Sequence, residues 1–256
     1  MRKWEKDGLE FRVSYNNVKE EAQKVAKELV RNLMFEMAKH CTLFNNDRYQ
    51  FHDLPYSYRE RQLDGVLLPA LHKICHGLVM TEIPLDRKKR DEDFQLYKSK
   101  GRGDYWCIYK EYSVVIELKH SYDNMNTTTT NKERVIGRWQ EMNEQLKDAE
   151  SYYRTFGELT KGVIRLGLHF ISSYTTKDKV KEEIKKFRES ADAIHERLMN
   201  DLWDNKPTTK PDMAICWMIP DRLIIGYEDI IPGLWLFAKF YEPIKHKGSK
   251  EYKNKD

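Results

Sequence analysis

The sequence predicts a single α/β domain. Amphipathic helical periods alternate with short apolar runs of strand length, no intervening stretch is long enough to act as a linker, and no internal repeat is visible. At 256 residues the chain can bury a sizeable core.

The elements follow in order. Residues 16–40 place Val18, Ala22, Val25, Leu29, Leu33 and Ala38 at near-helical spacing, with Asn16 or Asn17 as the expected cap. Residues 43–55 read as a loop. A second helix over 58–76 carries Leu63, Leu67, Leu71 and Ile74 on one stripe, and Pro69 inside it predicts a kink or a later start. Residues 78–83 form the first core strand, and the charged stretch 84–102 is expected to be exposed. Strands at 105–109 and 113–119 flank a turn at 110–112. The polar run HSYDNMNTTTTNKE that follows reads as a loop. Then come a helix over 133–156, a strand over 162–173 and a charged helix over 177–202. Pro211 precedes an apolar run at 213–219, with further strand candidates at 223–227 and 234–241. The domain thus has an N-terminal helical extension and a β-rich C-terminal extension of its core sheet.

Residues 101–120, GRGDYWCIYKEYSVVIELKH, carry the most chemistry. Glu117 and Lys119 end the apolar run Val114-Val115-Ile116, where packing gives a polar pair no reason to sit. On a strand they share a face. A hairpin centred between Glu111 and Tyr112 sets Asp104 opposite Lys119 and diagonal to Glu117, roughly 7–8 Å away at Cα. Two carboxylates at that spacing can share a cation. Hard oxygen ligands select Mg²⁺ or a similar ion, and a neighbouring lysine can hold a phosphate oxygen or an attacking water. The alternative is a strand-end salt bridge without chemistry.

These residues resemble the PD-(D/E)XK nuclease superfamily, the restriction-endonuclease-like fold. Its signature is an acid near one core strand and (D/E)-X-K on the next, within an α-β-β-β-α-β core. Asp104 matches the first acid, with Gly103 where the signature has proline, and Glu117-Leu118-Lys119 matches E-X-K. Glu60, in SYRERQLDGVLLPALHKI, resembles the acid many members add from the helix before the sheet. Gln145 and Tyr152, in QLKDAESYY, resemble the glutamine and aromatic on the helix after E-X-K. The resemblance implies a core at 57–173 with a mixed central sheet, a helical extension at 1–56, and a helix plus β-rich extension at 174–256. It also implies Mg²⁺ (or Mn²⁺) held by Asp104, Glu117 and the Leu118 backbone carbonyl. Glu60 would hold a second metal or a metal-bound water, Lys119 would act beside the attacking water, and Gln145 would support the site. The implied activity is endonucleolytic hydrolysis of DNA, in a restriction or defence setting.

The formal net charge of +4 permits a nucleic-acid partner without demanding one. Lys98, Lys100 and Arg102 lead into Asp104 and are expected phosphate contacts. The run Arg87-Lys88-Lys89-Arg90 is offset at once by Asp91-Glu92-Asp93 and reads as a solvated loop. His72, Cys75 and His76 have zinc spacing on one helix face but no partner motif, so packing or exposure is expected. Trp139, Trp203, Trp217 and Trp235 read as core or interface. The four cysteines form no C-x-x-C pair and read as buried thiols of a reducing cytoplasm. No apolar run reaches the ~20 residues of a membrane helix, and the opening MRKWEKDGLEF has no apolar signal core. A cytoplasmic protein acting on DNA is expected, and a homodimer is compatible with this. No P-loop, dinucleotide-binding, zincin or serine-hydrolase motif is present. Two rivals stand beside the DNA nuclease: a noncatalytic nucleic-acid-binding or scaffold protein that kept the fold, and an RNA-directed nuclease.

Overall fold

A computed structural model of the chain describes residues 1–16, 20–46, 51–52, 55–57, 60–90, 96–148, 160–176, 180–203, 209–220 and 229–244. The chain opens with a hairpin, β1 (Arg2–Lys6) and β2 (Leu9–Tyr15), rather than with a helix. Its turn is Asp7-Gly8, with φ of 50° and 76°, and Asp-Gly is a strong signal for a two-residue turn that needs positive φ. Leu9, Phe11 and Val13 are buried at period two. The N-terminal extension is therefore a hairpin followed by a helix, α1 (Glu21–Leu43). Asn16 does not cap that helix, because its side chain and backbone N–H donate to Pro211 O and Asp212 O.

A small ribbon, β3 (Asn45–Asn46) and β4 (Phe51–His52), precedes α2 (Glu60–Ile74), which contains Pro69; the first two residues of the expected helix, 58 and 59, lie outside the described residues. Then follow β5 (Val79–Arg90), β6 (Leu96–Tyr109), β7 (Tyr112–Asn124), α3 (Gly137–Asp148), β8 (Val163–Thr176), α4 (Val180–Asp201), β9 (Met213–Met218) and β10 (Asp229–Ile244). A π-helical turn, Lys132–Ile136, leads into α3. The expected third helix begins there, and its continuation through 149–156 lies outside the described residues, as does the strand candidate at 223–227.

Eight strands form one mixed sheet in the order β1-β2-β9-β10-β8-β7-β6-β5. Every neighbouring pair is antiparallel except β7 and β8. A parallel return needs a crossover, and α3 supplies it. Val114, Ile116 and Leu118 of β7 pack in one core with α1 and α2. The opposite core holds Trp139, Met142 and Leu146 of α3 with Phe187, Ala191, Ile194 and Leu198 of α4. The chain is thus α/β, with helices on both faces of the sheet.

Two charged stretches differ from expectation. Residues 87–90, expected as a solvated loop, are strand, and with 84–86 and 96–102 they make the outer part of the β5–β6 hairpin. The polar residues 120–124 are not loop but the end of β7, paired with β8 as far as Asn124↔Tyr174. Their polar groups are buried because partners reach them. Ser121 Oγ shares a 2.7 Å hydrogen bond with His169 Nε2, and Asp123 receives both ends of the Arg197 guanidinium at 3.0 and 2.5 Å. The four cysteines are free and buried, and Trp139, Trp217 and Trp235 lie in the core. Among the described residues no helix is long and apolar enough to cross a membrane.

Gly167 is the β8 partner of Glu117. A Cβ there would stand 2.7 Å from Met142 Cε and 2.9 Å from Leu146 Cδ1 of α3. Glycine lets the helix lie this close to the sheet beside Glu117. Gly167→Ala is expected to cost about 1–3 kcal/mol through overpacking, nearer the lower end because Met142 can yield. Urea unfolding measures it, and an unchanged midpoint would mean that α3 is not pressed on the sheet here.

Candidate functional site

The site begins at the turn between β6 and β7. Tyr109 pairs with Tyr112, so the turn is Lys110-Glu111, with φ of 47° and 67°. The hairpin is centred between those two residues, not between Glu111 and Tyr112. This corrects the register: continued one step past Tyr105↔Ile116, it sets Asp104 opposite Glu117, not Lys119. The displacement is two residues, so side-chain parity is kept. Asp104, Glu117 and Lys119 share the sheet face that α3 covers.

At Asp104 β6 parts from β7. Every other position of β6 pairs with β5 or β7, but Asp104 pairs with neither. The β5 residue facing it, Glu82, has φ of 52°, a left-handed backbone in the middle of a strand. Beyond Ile116, β7 has no β6 neighbour to receive its edge hydrogen bonds. Two carboxylates receive them. Leu118 N–H donates to Asp104 Oδ2 at 2.6 Å, and His120 N–H donates to Glu60 Oε2 at 3.2 Å. Glu60 is the first residue of α2, where the helix dipole favours negative charge. Its carboxyl is nevertheless raised above the ordinary range, mainly by burial. The nearby Asp104 charge adds to that rise, while Lys119, Arg138 and the His120 N–H oppose it.

Glu117 and Lys119 are 4% and 6% exposed. Lys119 Nζ donates to Glu117 Oε1 at 3.3 Å and lies 3.9 Å from Glu141 Oε1 of α3. Gln145, the expected supporting residue, donates from Nε2 to Glu141 Oε1 at 3.2 Å. It therefore touches Glu141, which in turn lies beside Lys119. Arg138 Nη1 stands 3.4 Å from Glu60 Oε2. Sequence reasoning missed Glu141 and Arg138. Helical periodicity could have found them, since positions 138, 141 and 145 lie three and four residues apart on one face.

Arg102 is exposed and donates to Glu82 Oε2 at 2.8 Å. Lys98 and Lys100 occupy β6 positions opposite Lys88 and Asp86. Their side chains, and the whole of Tyr152, lie outside the described residues. The donor set of Glu60, Asp104, Glu117 and the Leu118 carbonyl is all hard oxygen and suits Mg²⁺ or Mn²⁺. The mutual influence of the Asp104 and Glu60 carboxyls is what a shared cation would relieve. Among the described residues no three His, Cys, Asp or Glu side chains already converge as a cage.

No family model matches the chain, and no curated protein does. One similar solved structure is titled "Crystal structure of SSO0001". It is 19% identical over 60% of this chain, with a TM-score of 0.25, and the match spans 65% of its own length, less than two thirds. A similarity of that size carries no argument about fold or function.

Because burial raises Glu60, the folded state holds its proton more tightly than the unfolded chain does. Stability is therefore lost as the pH rises from the ordinary carboxylate value of about 4.3 through the raised one. Glu60→Gln is expected to melt higher than the wild type at pH 7, with the gain shrinking toward zero below about pH 4. Thermal melts across that range check it. A difference that does not vary with pH would remove the buried charge as its cause.

Proposed function

We propose that this protein is a divalent-metal-dependent nuclease of the PD-(D/E)XK kind that hydrolyses phosphodiester bonds in DNA. The observation that carries the reading is the convergence of Asp104, Glu117 and Lys119 on one sheet face where β6 leaves β7, with Glu60 beside them. The element order α2-β5-β6-β7-α3-β8, with β7 parallel to β8, supports it, because it is the α-β-β-β-α-β order of that fold. A cytoplasmic restriction or defence setting belongs to the same reading through the resemblance alone.

Asp104, Glu117 and the Leu118 carbonyl would hold the cation, with Glu60 able to add an oxygen. On an extended strand the Leu118 carbonyl lies on the same edge as its N–H, the edge that Asp104 reaches. A bound divalent ion supplies a polarised phosphoryl oxygen and a water of lowered pKa. Lys119 does the rest of the positioning. Its ammonium, oriented by Glu117 and Glu141, donates to a phosphate oxygen or to the attacking water in a setting that excludes bulk solvent. Arg138, at the rim, offers a second positive charge to the phosphate.

One observation favours a noncatalytic protein instead. Each acid already serves the fold, since Asp104 and Glu60 cap β7 donors and Glu117 pairs with Lys119. Metal and cleavage assays separate the two readings. Millimolar Mg²⁺ or Mn²⁺ is expected to raise the melting temperature of the wild type by mass action, and to leave an Asp104→Asn/Glu117→Gln variant unmoved. Truncating one member of the buried Glu117–Lys119 pair strands the other and costs about 3–5 kcal/mol. Lys119→Gln, which can still donate to Glu117, is therefore the better probe. Its metal-dependent cleavage of DNA is expected to fall by roughly 10²–10⁴-fold while its fold persists. Equal thermal shifts in wild type and double variant, with no cleavage of plasmid, single-stranded DNA or RNA, would favour the noncatalytic reading.

A further inference from the structure

His169 of β8 is fully buried beside the site and takes no part in it as described so far. It is the register partner of Lys119 across the parallel β7–β8 pair, so both residues belong to the sheet face that α3 covers. The Trp139 ring of α3 stacks on it, with centroids 6.1 Å apart and planes inclined by 19°. Its Nε2 shares a 2.7 Å hydrogen bond with Ser121 Oγ, two residues beyond Lys119 on the same face. Its Nδ1 is also buried, and among the described residues that atom has no hydrogen-bond partner. Buried polar atoms without partners are rare, because each loses its hydration and gains nothing in return. The positive charges of Arg138 and Lys119 act on this ring. Beside positive charge an unpaired N–H is repelled and a lone pair is attracted. The tautomer that fits has Nε2–H donating to Ser121 Oγ and the lone pair on Nδ1. Ser121 thereby sets which ring nitrogen is the acceptor.

The donor for that lone pair stands on the adjoining strand. A lysine ammonium has three N–H donors. Buried Lys119 spends one of them on Glu117 Oε1, at 3.3 Å. Its second carboxylate, Glu141 Oε1, is 3.9 Å away, too far for a hydrogen bond. The ammonium is thus under-bonded, next to an acceptor that receives nothing. Any cation that binds Glu117 competes with Lys119 for the same carboxylate and repels the ammonium. We propose that His169 is a positioning residue for Lys119: when Glu117 is neutralised or takes a cation, the ammonium shifts its hydrogen bond to His169 Nδ1, which Ser121 keeps as an acceptor. Held by His169 and Glu141, Lys119 stays in the site with its third N–H turned to a phosphate oxygen or a water. The cation and the phosphate rest on the nuclease reading, whereas the seat at His169 is tested with and without them.

The full chain is labelled with ¹⁵N-histidine, and ring-nitrogen NMR spectra are recorded for the wild type, for the wild type with saturating Mg²⁺, and for metal-free Glu117→Gln. His169 is expected as the Nε2–H tautomer in all three. Its Nδ1 resonance is expected to move toward the hydrogen-bonded position both with Mg²⁺ and in Glu117→Gln. Calorimetric titration with Mg²⁺ then compares two substitutions at His169. Asparagine carries an acceptor where Nδ1 stands, while glutamine reaches to where Nε2 stands. His169→Asn is expected to bind Mg²⁺ within about threefold of the wild type. His169→Gln is expected to bind it about tenfold more weakly or worse, because Lys119 then stays on Glu117 as a competing charge. A histidine that serves only its Ser121 contact gives the reverse order, with glutamine tolerated and asparagine not. Circular dichroism melts confirm that the variants fold. An Nδ1–H tautomer overturns the proposal, as does an Nδ1 resonance unmoved in Glu117→Gln, and so does His169→Gln binding Mg²⁺ as the wild type does. A wild type that binds no Mg²⁺ removes the metal from the nuclease reading, and the Glu117→Gln spectrum then decides the proposal. The expected spectra and affinities without any cleavage of DNA keep the proposal and remove the nuclease reading instead.

Discussion

The site depends on a backbone constraint. A strand buried within a sheet must find partners for its edge N–H groups, and β7 loses its β6 neighbour after Ile116. The Asp104 and Glu60 carboxylates fill that role at Leu118 and His120. Two acids from distant parts of the chain are thereby drawn to one strand edge, next to the Glu117–Lys119 pair. Proximity of like charge follows, together with the raised carboxyl of Glu60. Glu82 faces Asp104 with a left-handed backbone, so β5 is irregular at the level where β6 parts from β7.

The opposite wall is set by α3, and neutral polar contacts anchor it. Trp139 Nε1 donates to Thr209 O at 2.8 Å, its ring stacks on His169, and Tyr241 OH donates to Asn143 Oδ1 at 2.5 Å. Burial pushes His169 down to about 3, so this imidazole is neutral at any physiological pH. The anchoring of α3 therefore does not depend on the charge of His169. Glu141 and Arg138 are presented to the site from this fixed helix.

Much of this was legible in the sequence, though unevenly. The face shared by Asp104, Glu117 and Lys119 was readable because strand parity survives a two-residue register error. The register was not, because Lys110-Glu111 adopts positive φ without the Asn or Gly that advertises such a turn. Asp7-Gly8 did advertise one, and with Leu9, Phe11 and Val13 at period two the first hairpin was within reach. The strand character of 120–124 was hidden, since it rests on partners such as Arg197, 74 residues away from Asp123. The burial of Glu117 and Lys119 was equally illegible, as it arises from α3 and the rest of the fold closing over one face.

The sheet order carries a consequence for how the chain must fold. Strand β2 finds its inner neighbour in β9, Glu10 against Met218, roughly 200 residues later in the chain. Contacts so distant close late and slow the folding of a sheet. During synthesis at about 5–20 residues per second, the backbone edge of β2 waits on the order of ten seconds or more for β9 to be made. In that interval the outer backbone N–H and C=O groups of β2 are unpaired, and an open strand edge of this kind is where mispairing with another strand begins.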